Sequence, residues 1–155
     1  MTWITNRIFD EITLGETATH TRLLRQQDIE LFALVSGDVN PAHVYIEYAK
    51  ESKFHHVIAH GMWGGALISA VLGTQLPGPG TIYVTQSLNF RRPVRLGDTV
   101  TVSVKVVEKR LAGHRLVLAC NVVNQHGEAV IDGQAEVVAP TERISRPRVA
   151  LPDIQ

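Results

Sequence analysis

The feature that most constrains this chain is the run of residues 57–90, which holds 34 positions without a single Lys, Arg, Asp or Glu. A stretch that avoids charge for so long must be hidden from water, either in a membrane or inside a protein. A spanning helix needs about 20 consecutive, mainly apolar residues. Here the run is broken by His60, Gly61, Gly64, Gly65, Ser69 and Gly73, and then by Pro77-Gly78-Pro79-Gly80, where proline removes backbone donors and stops a helix. The run therefore reads as a buried helix over about 59–72 followed by a buried strand, and no membrane association is expected. Apolar nearly all round and rich in small residues, the helix has the pattern of one surrounded by protein.

The elements on either side supply the wrapping. Ile29, Phe32 and Ala33 fall at helical spacing and Gly37 stands where a left-handed cap belongs, which predicts a helix over 26–36. Asn40 is a good N-cap and Pro41 suits the first helical position, so a second helix is expected to run to about residue 50. After Gly80 the period changes to two, with Ile82, Val84, Leu88 and Phe90 on one face of a strand. Three further alternating runs, at 100–106, 116–122 and 129–137, are joined by short glycine-containing connections, which make antiparallel neighbours. A strand over about 17–23 completes the set. The fold class is α+β: one domain in which an antiparallel sheet of about five strands wraps one long apolar helix.

At 155 residues the chain matches one domain and can bury roughly 70% of its unfolded surface. The domain is expected over 1–139. Residues 140–155 carry three prolines with Arg143, Arg146 and Arg148, the composition of a loosely docked tail rather than a nucleic-acid site, since no aromatic residues interleave the charges. Lys plus Arg and Asp plus Glu balance at 15 each, which gives no steering toward polyanions. A lone Cys120 in an alternating strand reads as a small buried hydrophobe. With no apolar core near the start for export, the cytoplasm is the expected location.

The candidate chemistry lies at Asp38-Val39-Asn40-Pro41-Ala42-His43. A helix-starting Asn-Pro fixes the backbone between Asp38 and His43, and so fixes how an acid and a base converge. His60-Gly61-Met62, at the start of the buried helix, offers unpaired N–H groups, with Gly61 allowing close approach. Adding water to an activated double bond needs these parts: a base, an acid and a donor for a developing oxyanion. Asp-x-Asn-Pro is equally ordinary turn and capping chemistry, and the residues alone leave both readings open.

The run Ser36-Gly37-Asp38-Val39-Asn40-Pro41-Ala42-His43, with Gly61 of Ala59-His60-Gly61-Met62 eighteen residues after His43, resembles the signature of MaoC-like (R)-specific enoyl-CoA hydratases. Leu76-Pro77-Gly78-Pro79-Gly80-Thr81-Ile82-Tyr83 and Gln86-Ser87-Leu88-Asn89-Phe90 are also similar to its short polyhydroxyalkanoate-linked members, and the likeness spans about residues 8–138. The resemblance implies a hot-dog fold, a homodimer joined edge to edge, and hydration of trans-2-enoyl-CoA to (R)-3-hydroxyacyl-CoA. It implies Asp38 and His43 as the catalytic pair, Asn40 as their brace and Gly61 as the oxyanion donor. Ala42 departs from the larger aliphatic residue usual there, which bears on acyl-chain preference.

His60 is expected to support Gly61 by ordering its turn. Ala42 and Met62 are expected at the substrate, and Arg91, Arg92 and Arg95 are candidates for the CoA phosphates or, equally, for keeping a strand end solvated. Tyr83 and Trp63 read as core. His55, His56 and His60 cluster without a carboxylate or thiol at ligand spacing, so no metal is expected, and no cofactor beyond the CoA of the substrate. Competing readings on the same fold are an acyl-CoA thioesterase, an acyl-carrier-protein dehydratase and a noncatalytic acyl-binding module.

Overall fold

In the computed structural model, which describes residues 2–153, the charge-poor run folds as helix α4 (Gly61–Thr74) and the edge strands β3 (Ile82–Gln86) and β4 (Asn89–Phe90). The remaining elements are β1 (Trp3–Thr5), β2 (Thr17–Leu23), α1 (Gln26–Ser36), α2 (Pro41–Val44), α3 (Ile46–Glu51), β5 (Thr99–Arg110), β6 (Arg115–Val123), β7 (Ala129–Val138) and β8 (Ser145–Pro147). The main sheet runs β2-β5-β6-β7-β3 and is antiparallel throughout, with β4 also paired to β7. The expected five positions are present, and the edge position is filled by two strands instead of one. Its register slips at Val84, between Tyr83 and Thr85. Past Gln86 the chain crosses Gly133 so closely that a Cβ there would sit 1.9 Å from the Ser87 carbonyl oxygen, and regular pairing resumes only at Asn89.

The core lies between α4 and the inner face of the sheet. Trp63, Leu67, Ile68, Val71 and Leu72 meet Val100, Val102, Val104, Leu116, Leu118 and Val122, all buried. Each such side chain contributes roughly 1.5–3 kcal/mol relative to leaving it in water. Cys120 is buried among them and its thiol is pushed up by burial. No helix among the described residues is long and apolar enough to cross a membrane.

The helix expected over 41–50 is two helices, because Tyr45 adopts an extended conformation (φ −124°, ψ 100°). The run Val44-Tyr45-Ile46 is β-branched and aromatic, the residue types that lose most side-chain freedom in a helix. The segment after residue 140 is docked rather than loose: β8 pairs with β1. Asn6, buried, donates from Nδ2 to the carbonyls of Pro79 (3.0 Å) and Glu142 (2.8 Å) and accepts at Oδ1 from the Ile144 N–H (3.0 Å). Arg143 donates to the Asn6 carbonyl and, at 2.6 Å, to Glu11, whose carboxyl it lowers to about 2, aided by the Ile8 N–H. The partners of the segment after residue 140 lie more than 130 residues away in sequence, which is why composition alone suggested a loosely docked tail.

Candidate active site

The site forms where the loop between α1 and α2 meets the start of α4. Gly37 ends α1 in the left-handed conformation (φ 78°), and local bonds then cinch the loop. Ser36 Oγ accepts from the Asp38 N–H at 3.1 Å, Asp38 Oδ1 accepts from the Asn40 N–H at 3.1 Å, and Asn40 Oδ1 caps α2 by accepting from Ala42 N–H at 3.0 Å. Asn40 thus braces the turn, and Pro41 takes the first helical position. The Asp38 side chain is exposed, while His43 is buried in α2.

His43 Nδ1 lies 2.8 Å from the carbonyl oxygen of Ile58. A carbonyl only accepts, so Nδ1 carries the proton and Nε2 presents a lone pair. One carboxylate oxygen of Asp38 and one ring nitrogen each of His43 and His60 lie within 4.8 Å of one another. A single water spans a gap of that size with a hydrogen bond to either side.

His60 is the N-cap of α4, yet its side chain makes no bond to the first turn. Its Nε2 donates instead to the main-chain oxygen of Asp38 at 2.8 Å, and its ring stacks on His43 at 4.1 Å between centroids and 26° between planes. The expected support of the Gly61 turn is therefore corrected: the bond runs to Asp38. Gly61 opens α4, and its N–H finds no acceptor among the described residues, which leaves it free for a ligand at the positive end of the helix. A Cβ on Gly61 would stand 3.1 Å from the Phe90 ring, so a larger residue would crowd the opening.

Asp38, His43 and His60 are also the one group of potential metal ligands among the described residues, and His55 and His56 stay exposed outside it. The two imidazole rings are stacked, and the Nε2 of His60 is already engaged with the Asp38 main-chain oxygen.

Two connected grooves lead from this point. One, of about 420 Å³, is lined by Phe32, Ser36, Asp38, His60, Gly61, Met62 and Phe90. The other, of about 490 Å³ and largely apolar, shares Phe32 and Met62 and continues along Gly65, Ala66 and Ser69 to Tyr83, Val84 and Leu88. Met62 therefore lines both grooves, whereas Ala42 is buried beside His43 and lines neither. Tyr83 is not core: it is half-exposed on the groove wall, its hydroxyl donates to Gln86, and burial followed by the nearby Cys120 pushes its pKa up to about 12. Trp63 is buried as expected. Arg91 is held by Asp132 at 2.8 Å and Arg92 by Glu128 at 3.2 Å, while the Arg95 guanidinium has no ion-pair partner among the described residues. Sequence reasoning missed Phe32, Phe90 and Ser69 as groove residues and the Ile58 carbonyl that sets the His43 tautomer; a carbonyl has no sequence signature, and the aromatic residues fitted the core pattern.

A sheet wrapped around one buried helix, with an Asp and a His brought together beside the start of that helix, defines a hot-dog domain. The chain belongs to the MaoC-like domain family, whose model matches residues 10–126. It is 48% identical over 136 residues to an (R)-specific enoyl-CoA hydratase of Rhodospirillum rubrum, a match covering 85% of this chain and 91% of that protein. It is 42% identical to a 3-hydroxybutyryl-CoA dehydratase of Methylorubrum extorquens, over 90% of this chain and 88% of the relative. Among solved structures, an unliganded R-hydratase from Pseudomonas aeruginosa superposes with a TM-score of 0.94 at 45% identity, covering 99% of both chains.

Proposed function

We propose that this protein is an (R)-specific enoyl-CoA hydratase that adds water reversibly to trans-2-enoyl-CoA, using Asp38 and His43 as its acid–base pair. The observation that carries the reading is the Asp38 carboxylate facing a ring nitrogen of His43 within 4.8 Å, beside the unpaired Gly61 N–H. Hydratase and dehydratase activities named for relatives at 48% and 42% identity support it.

The chemistry follows from the geometry. The pair holds a water; as its oxygen bonds to C3, one of its protons passes to the basic member. The C2–C3 π electrons move toward the thioester, and the enolate oxygen is stabilised by the Gly61 N–H and the positive end of α4. The acidic member then delivers a proton to C2 as the thioester carbonyl re-forms. Because both groups come from one short segment, they approach the same face, and addition is syn. The reaction needs no metal or redox cofactor, since every step is a proton transfer or a charge held by a dipole.

The chain acts as a homodimer in this reading. Among the described residues no strand lies beside the outer edge of β3, and Ile82 is 60% exposed there with Tyr83 and Val84 about half-exposed; pairing two such edges hides the backbone groups. A cytoplasmic location accords with the absence of any spanning helix among the described residues.

The test is to incubate the protein with crotonyl-CoA and follow enone absorbance together with free thiol. Absorbance loss without thiol is the expected result, whereas thiol release identifies a thioesterase. The product should resist an (S)-specific 3-hydroxyacyl-CoA dehydrogenase and yield to an (R)-specific one; prompt oxidation by the former overturns the stereochemical assignment. Faster turnover on the matching acyl-carrier-protein thioester would reassign the carrier.

A further inference from the structure

His60 is only 3% exposed, and its ring sits between Phe32, at 4.9 Å, and His43, at 4.1 Å. The ring makes one hydrogen bond, from Nε2 to the Asp38 carbonyl, and Nδ1 is buried with no partner among the described residues. Space-filling does not account for such a residue: a phenyl ring would occupy the same slot without burying an unpaired nitrogen, which is unfavourable. Nor does helix capping, because the side chain makes no bond to the first turn of α4. What remains is the bond it does make. The other hydrogen bonds that restrain Asp38 run to Ser36, the last residue of α1, and to Asn40, and neither reaches α4.

We propose that His60 is the positioning residue of this site, fixing the Asp38 carboxylate relative to the Gly61 N–H by holding the Asp38 main chain from the start of α4. The bond spans 22 residues and ties the Asp38 main chain to His60, the residue immediately before Gly61. It sets the distance between the group that moves the proton and the donor that receives the developing charge. A misplacement of about 1 Å between such groups costs on the order of 10²-fold in rate. The inference rests on Asp38 and Gly61 having the roles given above.

Three variants test it on crotonyl-CoA hydration, with folding checked by circular dichroism and melting. His60→Phe keeps an aromatic ring in the stack but loses the donor. His60→Gln loses the ring but offers an amide N–H at similar reach. Asp38→Asn reports on the acid–base reading itself. His60→Phe should lower kcat about 30- to 100-fold with KM changed less than about threefold, and His60→Gln should recover most of kcat even where its melting temperature is the lower of the two. A structural role gives the reverse order, with His60→Phe close to parental in both kcat and melting. Parental kcat in His60→Phe, or a loss in His60→Gln as large as that in His60→Phe, overturns the proposal. If His60→Phe does not fold, His60→Leu is compared with His60→Gln on the same criteria. An active Asp38→Asn sinks the acid–base reading, whereas an inactive Asp38→Asn beside a parental His60→Phe sinks only the positioning role.

Discussion

Two polar clusters in this molecule are built on opposite principles. At Asn6, where the N-terminal strand, the turn at Pro79 and the segment after residue 140 converge, every side-chain hydrogen-bonding atom is used: two carbonyls accept from Nδ2 and one N–H donates to Oδ1. Around Asp38, His43 and His60, bonds to backbone fix each group, but capacity is left open: the second nitrogen of each imidazole and the N–H of Gly61. A buried network that satisfies itself is a source of stability, and one that does not is waiting for a ligand. The contrast separates a cluster that holds the chain together from the one we propose to act.

Substitution in the open cluster should give the largest effects, and they should fall on rate. Asp38→Asn removes the carboxylate, and His43→Asn keeps a donor for the Ile58 carbonyl while removing Nε2. Each is expected to lower kcat for crotonyl-CoA by a factor on the order of 10² to 10⁴ with melting nearly unchanged. Near-parental turnover in either variant breaks the comparison at its active end.

Substitution in the closed cluster should do the opposite. Asn6→Ala deletes three side-chain hydrogen bonds and strands their partners, which costs about 2–4 kcal/mol and lowers Tm by about 5–15 °C in a chain of this size. Below the transition, kcat and KM should match the parent. A fall in kcat of the fully folded variant would show that the clasp reaches the site.

The smallest effect sharpens the comparison, because it concerns a charged group whose bonds are again all internal. Burial pushes the Asp28 carboxyl up, but the Arg25 N–H and the guanidiniums of Arg22, at 2.6 Å, and Arg25 outweigh it, and the net shift is downward. A carboxyl held lower in the folded than in the unfolded chain stabilises the fold above the unfolded value, about pH 4, and ceases to do so as pH falls through the folded one. Asp28→Asn should therefore cost about 1–3 kcal/mol at neutral pH, and its melting temperature should converge with the parental one as pH drops below about 4. A gap that stays constant down to pH 2 would show that the carboxylate charge plays no part.

Much of this fold was legible in advance because its signals are local. Gly37, Asn40 and Pro41 act within a few residues of themselves, and the alternation in β5, β6 and β7 reports burial on one face wherever the cover comes from. What was misread depended on distant partners. The edge strand broke because Ser87 crosses a glycine 46 positions later in the chain, and Tyr83, part of a pattern shared by core strands, proved to be groove wall. Arg91 and Arg92 looked like free cations until Asp132 and Glu128 came beside them.

The architecture and the candidate acid–base pair were legible in the residues themselves: a charge-free helix has to be wrapped, and an Asn-Pro helix start holds Asp38 and His43 at a fixed separation. Only the tertiary structure decided what those groups can do. The tautomer of His43 is set by a carbonyl 15 residues away and the anchor of Asp38 by a ring 22 residues away. Neither contact has a composition or a period, because a main-chain oxygen is the same in every residue, and only folding determines which side chain it meets.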